Sequence, residues 1–282
     1  MKFPKLKRVY FVLPCFISLT FIASSCTKKS RQNTLEITGS STVAPLVAEI
    51  AKKFEGENPN TRINVQTGGS SRGISDIRKG ISHIGMVSRA LNDSEKDLQN
   101  YVIAKDGIGI ITHAALTSQD FSSREIKDIF TGKTAHWKTK KGDHTKITVI
   151  HKAQGRSTSE LFIKHFSLQY NDVNAHIIIG DNEQGIKNVS TIPGAIGYVS
   201  IGAAETAIRN QVPIKLVSLD GIHPSSKNVS NGTYAILRPL NLVTKDNSNP
   251  LAETFIKFAQ SQNVSSIVRK LDFVPQQQRS EI

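Results

Sequence analysis

Leu35-Glu36-Ile37-Thr38 leads through Gly39 into Ser40-Ser41-Thr42 and then into an apolar run from Val43 to Phe54, and this passage decides the fold. Its first four residues read as a strand. The residues after Thr42 read as a helix, because Val43, Leu46, Val47, Ile50, Ala51 and Phe54 fall on one face at helical spacing. A glycine at such a turn lets the backbone approach a ligand closely, and the helix start offers N–H groups that have no partner within the helix. The hydroxyls of Ser41 and Thr42 add neutral donors, or they simply cap the helix, the commoner use of a serine there. The same order of residues returns where Arg62 to Gln66 precede Gly68-Gly69-Ser70-Ser71, and the strand Ile84 to Val87 runs into Ser88-Arg89. Two Gly-Ser-Ser turns after two strands favour an oxyanion cradle over two unrelated caps.

Working outward, strand-like and helical segments keep alternating, which argues for α/β layers with a largely parallel sheet. Gly107 to Thr112 is apolar enough to be buried on both faces, Phe121 to Phe130 is amphipathic and stopped by Gly132, and Ala195 to Ser200 is a strand opened by Pro193-Gly194. Tyr234 to Leu237 and Asn241 to Thr244 read as two further strand segments, and Leu251 to Phe258 as the closing helix. Between the strand Ile147 to His151 and the helix Ser157 to Phe166 lies Lys152-Ala153-Gln154-Gly155-Arg156-Ser157-Thr158, a fourth glycine-and-hydroxyl helix start, now with two cations. A mature chain of about 250 residues exceeds what one core usually supports, so two lobes are expected, with an anion clamped between helix starts from each.

The first residues read as an address. Lys2, Lys5, Lys7 and Arg8 form a basic region, Val9 to Ile22 an apolar one, and Ala23-Ser24-Ser25 leads into Cys26. The apolar stretch is shorter than the ~20 residues of a spanning helix, so a cleaved export signal over 1–25 is expected. Small residues before Cys26 resemble a bacterial lipobox, which implies lipidation of its thiol, with 26–32 as a polar tether. The other of the two cysteines, Cys15, falls within the discarded signal. The net charge is +13, of which Lys2, Lys5, Lys7 and Arg8 supply four, leaving +9 on the mature chain. The basic residues are dispersed, and a single Trp and five Tyr offer few stacking platforms, so nucleic-acid binding is not expected.

The sequence carries no catalytic constellation. The eight histidines show no His-x-x-x-His spacing, no Walker loop occurs, and no metal or cofactor is expected. His83 and His151 lie near the ligand segments as the only candidate bases. The alternative they carry is a phosphoester hydrolase.

Taken together, Gly39-Ser-Ser-Thr-Val-Ala-Pro45, Gly68-Gly-Ser-Ser-Arg-Gly73, Ile84-Gly-Met-Val-Ser-Arg-Ala-Leu91, Ile126-Lys-Asp-Ile-Phe-Thr-Gly132 with Trp137, Gly155-Arg-Ser-Thr158 and Pro193-Gly-Ala-Ile-Gly-Tyr-Val199 resemble the phosphate substrate-binding proteins of bacterial ABC transporters. The resemblance covers essentially the whole mature chain. It implies a two-lobed periplasmic-binding-protein type II fold, each lobe a mostly parallel sheet flanked by helices, joined by two hinge crossings. Lobe 1 would comprise 33–112 and 234–282, and lobe 2 113–233. By resemblance the phosphate-contacting positions are Ser41, Thr42, Ser70, Ser88, Arg89, Arg156, Ser157 and Thr158. It further implies a monomer, outside the cytoplasmic membrane and lipid-anchored through Cys26, that delivers inorganic phosphate to a permease. Another tetrahedral oxyanion (sulfate, molybdate or tungstate) is the other reading. In two places the chain departs from the family. Arg156 and Ser157 stand mid-loop where Ser-Gly is usual, and Lys152 stands where an arginine is common.

Overall fold

In the computed structural model the described residues are 33–138, 144–245 and 249–276. The export signal, Cys26 and the tether lie outside them. The chain begins with β1 (Asn33–Gly39), α1 (Ala44–Glu57), β2 (Thr61–Thr67), α2 (Ser70–Arg78) and β3 (Ile84–Val87), then β4 (Gln99–His113). It continues through β5 (Asp120–Phe121), α3 (Ser123–Phe130), β6 (His136–Lys138), β7 (His144–Lys146), β8 (Thr148–Lys152), α4 (Ser157–His165) and β9 (Ile177–Ile179). Next come α5 (Asn182–Thr191), β10 (Ala195–Ser200), α6 (Ile201–Arg209), β11 (Ile214–Leu219) and α7 (Ser226–Ser230). The chain closes with β12 (Leu237–Thr244), α8 (Pro250–Ala259), α9 (Ser265–Lys270) and β13 (Val274–Pro275).

Helix α1 forms as the spacing predicts. Leu46, Val47, Ile50, Ala51 and Phe54 are each at most 4 % exposed, and Pro45 occupies the first turn, where no N–H is needed. That face packs on β1 and β3 and on Phe255 of α8 in one core, which runs from Leu35 to Ala104 and resumes at Leu240 to Phe273. A second set of apolar clusters gathers residues between Ile108 and Ile236, including Phe130, Phe162 and Tyr198. The fold is therefore two-lobed, with the N- and C-terminal parts sharing one core. Trp137 anchors the second, its indole N–H donating to the Gly194 carbonyl at 3.0 Å while its ring tilts against Phe121.

Sheet order explains how the lobes are joined. β1 pairs parallel with β2 and β3, and β8 pairs parallel with β10 and β9. The two long strands between these groups, β4 and β12, pair antiparallel with each other and with their neighbours β3 and β10. Each lobe is thus parallel on its outer strands and antiparallel at the crossing. β4 is one continuous strand from Gln99, longer than the apolar segment Gly107–Thr112 that periodicity picks out. Its first half pairs with β12, and only Ala104 and Lys105 also meet β13, so it carries exposed positions such as Gln99, Asn100 and Lys105 and lacks a continuous apolar signature. The return strand starts at Leu237, and Tyr234 and Ile236 precede it as a clamp. Ile236 O accepts the Ile108 N–H at 3.0 Å and the Tyr234 hydroxyl donates to Ile108 O at 3.0 Å.

Candidate functional site

The centre of the site is a residue the sequence reading passed over. Arg238 on β12 stands directly opposite Asp106 on β4, and the two side chains are 0 % and 1 % exposed. Asp106 Oδ2 accepts from Arg238 Nε at 3.0 Å and Nη2 at 2.7 Å, which neutralises the buried cation. The other edge of the guanidinium fans out to three hydroxyls. Nη1 donates to Thr158 Oγ1 at 2.8 Å and more weakly to Ser88 Oγ at 3.5 Å, and Nη2 to Thr42 Oγ1 at 3.3 Å. One arginine on a crossing strand thereby gathers hydroxyls from both lobes.

Hydrogen-bond accounting fixes the direction in which those hydroxyls point. Ser40 Oγ accepts the Thr42 and Val43 amides at 3.2 and 3.4 Å, so its proton goes to Ser88 Oγ at 2.9 Å. Ser88 Oγ, already accepting from Ser40 and Arg238, has its own proton left to give. Thr42 Oγ1 accepts from Arg238 and from Asn182 Nδ2 at 3.2 Å, and Ser70 Oγ accepts the Ser88 amide at 3.2 Å. Ser157 Oγ is buried with no partner among the described residues. A hydroxyl whose lone pairs are filled presents a donor. The cluster is thus polarised outward as donors, the complement of a ligand rich in acceptors.

Helix starts reinforce it. α3, α5, α6, α7 and α8 are each capped by their own side chain, from Ser122, Asp181, Ser200, Ser225 and Asn249. α2 and α4, which meet across the cleft, have no such cap, and neither have α1 and α9; the cap positions of α2 and α4 are Gly69 and Arg156. The loops come together because glycine permits it. Gly39, at φ +136°, lies so close to β3 that a Cβ would fall 2.3 Å from Met86 O, and Gly39 O receives both the Gly68 and Gly69 amides at 2.9 Å. Gly69, at φ +97°, touches the second lobe, where a Cβ would meet Arg156 Cδ at 2.8 Å and Gly155 O at 2.9 Å. The cleft is closed: Thr42, Ser70, Ser88, Ser157 and Thr158 are all at most 4 % exposed.

The remaining sequence candidates divide. Ser41 is half-buried at the first turn, its side chain showing no hydrogen bond among the described residues. Arg156 lies half-buried at the rim, its stem against Gly69 and its guanidinium beside Gly180. Arg89 turns away from the hydroxyl cluster. Its Nη1 and Nη2 donate to Glu95 at 2.7 and 2.9 Å, and its Nε reaches Glu160 on α4 at 2.7 Å. Burial would raise the Glu95 carboxyl, but the Arg89 guanidinium and the Asn92 amide outweigh that and hold it below its ordinary range.

Lys152 joins the site from below. Its Nζ, fully buried, donates to Asn182 Oδ1 at 2.8 Å, and Asn182 in turn donates to Thr42 across the cleft. Burial, then the neighbouring charges of Arg238 and Arg156, push its ammonium down to about 7, against the weaker opposing pull of Asp181 and Glu183. The two candidate bases sit elsewhere. His151 Nδ1 pairs with the Tyr198 hydroxyl at 2.7 Å, and burial lowers its imidazole to about 4. His83 Nδ1, just before β3, accepts the Glu36 amide of β1 at 2.9 Å. Among the described residues no group of three or more His, Cys, Asp or Glu side chains is placed to hold a metal ion, and no helix is long and apolar enough to cross a membrane.

Arg238 could have been noticed as a lone charge inside the apolar run Leu237 to Leu242, and Asp106 as an acid immediately before the buried run Gly107–Thr112. Only the pairing of β4 with β12 tells that they meet.

Comparison with known proteins places this geometry. Residues 24–263 match the PBP superfamily domain. The phosphate-binding protein PstS of Bacillus subtilis (strain 168) is 31% identical over 254 residues, covering 88% of this chain and 82% of that protein. PstS of Borreliella burgdorferi is 25% identical over 95% of this chain and 99% of its own. Among solved structures, a Clostridium perfringens protein described as a phosphate ABC transporter substrate-binding protein with bound phosphate superposes with a TM-score of 0.80 at 30% identity, covering 87% of this chain and all of that one. A phosphate transport receptor from Vibrio cholerae gives 0.69 at 26% identity. The chain belongs to the PBP superfamily, in the family of phosphate ABC-transporter substrate-binding proteins.

Proposed function

We propose that this protein captures inorganic phosphate in the closed cleft between its lobes and delivers it to an ABC permease. The observation that carries the reading is the donor cluster gathered by Arg238: outward-pointing hydroxyls from both lobes and two uncapped helix starts. The names of the relatives and the phosphate bound in the Clostridium perfringens structure support the same ligand. Ser41, Thr42, Ser70, Ser88, Ser157 and Thr158 donate to the anion, Arg238 supplies its central charge, and Arg156 adds a charged donor from the second lobe. Arg89 serves the cleft by bridging it rather than by touching the ligand. The lobes are 33–112 with 234–282, and 113–233. In support, β4 changes core between Ala104 and Ile108.

The protein works as a monomer on the outer face of the cell envelope, held by lipid on Cys26 after removal of 1–25. Cys26→Ser then releases it from the membrane with ligand affinity unaltered, because the tether keeps the lipid away from the cleft. A variant still sedimenting with membranes would mean the apolar leader is retained.

Isothermal calorimetry on the delipidated protein tests the ligand. Heat with phosphate, and none with sulfate, molybdate or tungstate, is expected. The second reading, a fully ionised oxyanion, is favoured by Ser88, an uncharged residue that does not repel such an ion, and by the donor-only polarity of the hydroxyls. Binding of sulfate, molybdate or tungstate without phosphate would establish it. Turnover of a phosphoester, abolished by altering His83 or His151, would make the protein an enzyme.

A further inference from the structure

Lys152 ends β8 with 2 % exposure, yet among the described residues no carboxylate touches it. The Asn182 Oδ1 that holds its Nζ also takes the Ser200 amide, at 3.4 Å. The charged and titratable groups packed around it are few. Beside it on β8, His151 is turned to Tyr198, whose hydroxyl accepts the Lys152 backbone amide. At the start of α5, Asp181 spends an oxygen on capping Gln184 and Glu183 is exposed. β12 contributes Arg238, and the start of α4 contributes Arg156.

Counting charge across the closed cleft leaves a surplus. Arg238 is matched by Asp106, and Arg89 by Glu95 and Glu160. Lys152 and Arg156 are the cations of the cleft with no acidic partner in contact among the described residues. Two unmatched positive charges, one fully buried and one half-buried at the rim, call for a dianion, or for the loss of the buried charge. An arginine cannot give up its proton, whereas a buried lysine readily does.

We propose that Lys152 is the proton-coupled cation of the site, neutral while the closed cleft is empty and charged while it holds a dianionic tetrahedral oxyanion, so that capture takes up one proton at Nζ. The step is a simple protonation of the amine, with the proton supplied by solvent. It rests on the anion-capture reading above and adds the ligand's charge state. The depressed value near 7 in the empty cleft agrees with it. Because the lysine binds its proton more tightly in the loaded form, affinity is full below about 7 and declines as pH rises above it, up to the loaded-state value.

NMR of the lysine Cε–H signals in the mature protein reads this directly. In the empty protein one lysine titrates in the neutral range, its signal is missing from Lys152→Arg, and saturating phosphate moves its inflection above about 9. If every lysine of the empty protein titrates near ~10, or the neutral-range signal survives in Lys152→Arg, the proposal is wrong. Calorimetry at about pH 8, in buffers of different ionisation enthalpy, supplies a second arm. The parent takes up close to one proton more per phosphate than Lys152→Arg, and loses affinity relative to it by roughly tenfold per pH unit. Equal uptake overturns the proposal; Lys152→Met serves the same comparison if the arginine variant misfolds. Absence of phosphate heat in parent and variants alike overturns the phosphate reading instead, while the titration of the empty protein still decides the state of Lys152.

Discussion

Glu160→Gln is the most telling single change, because it cuts a contact that joins the two lobes across the cleft. Glu160 Oε2 takes Arg89 Nε at 2.7 Å, and Oε1 takes the Ser71 hydroxyl at 3.4 Å, joining α4 to the other lobe. Arg89 is 5 % exposed and Glu160 36 %, so solvent screens the pair on one side and its value is that of a good surface pair, about 1 kcal/mol. If closure is coupled to binding, the dissociation constant rises about fivefold, nearly all of it as faster release. Arg89 keeps Glu95, so folding stability should change by less than about 0.5 kcal/mol. Phosphate calorimetry, stopped-flow release and thermal melting read the three quantities, and the difference in affinity should shrink as salt is added. A melting point lowered by several degrees with affinity untouched would refute the argument, since the pair would then stabilise a fixed structure rather than a moving cleft.

Ser157→Ala should leave the melting point unchanged, because its Oγ has no hydrogen-bond partner among the described residues, yet weaken phosphate binding ten- to hundredfold through loss of a charge-assisted bond; unchanged affinity by calorimetry removes Ser157 from the site. Asp106→Asn strands the buried Arg238 charge and should cost ~3–5 kcal/mol in denaturant unfolding, with saturating phosphate restoring more stability than in the parent. A mild loss with no extra rescue would mean Arg238 does not face the anion. Glu95, held below its ordinary range, stabilises the fold above the usual carboxylate values and loses that contribution as pH falls toward its depressed folded value. Melting points taken from pH 6 down to 3 should therefore fall more steeply in the parent than in Glu95→Gln, and parallel curves would count against the pairing with Arg89.

What the sequence shows best is what depends on neighbours along the chain. The periodicity of Val43 to Phe54 and the Gly-Ser-Ser turns after β1 and β2 are local signals, and the elements form within a few residues of where those signals place them. Arg238 and Asp106 meet across 132 positions of sequence, and each alone reads as a stray charge in a strand. Arg89 follows a strand end in the same way as Ser88, but its guanidinium is drawn off by Glu95, six residues on, and by Glu160 from the second lobe. Composition cannot say which of two adjacent polar residues turns inward. Lys152 likewise looks like any loop lysine until β10 and α5 close over it.

The uncapped starts of α2 and α4 have a consequence for anyone wishing to make this protein sturdier. Five other helices carry a serine, aspartate or asparagine at the position where these two carry Gly69 and Arg156. A stability-driven redesign would turn to Arg156, where an aspartate promises ~1 kcal/mol in the empty protein, whereas Gly69, at φ +97° with Arg156 Cδ and Gly155 O where a Cβ would stand, admits no side chain without strain. The new carboxylate would claim amides kept open for the ligand and set negative charge against an incoming anion. These two open helix starts are thus ones an engineer has reason to leave alone.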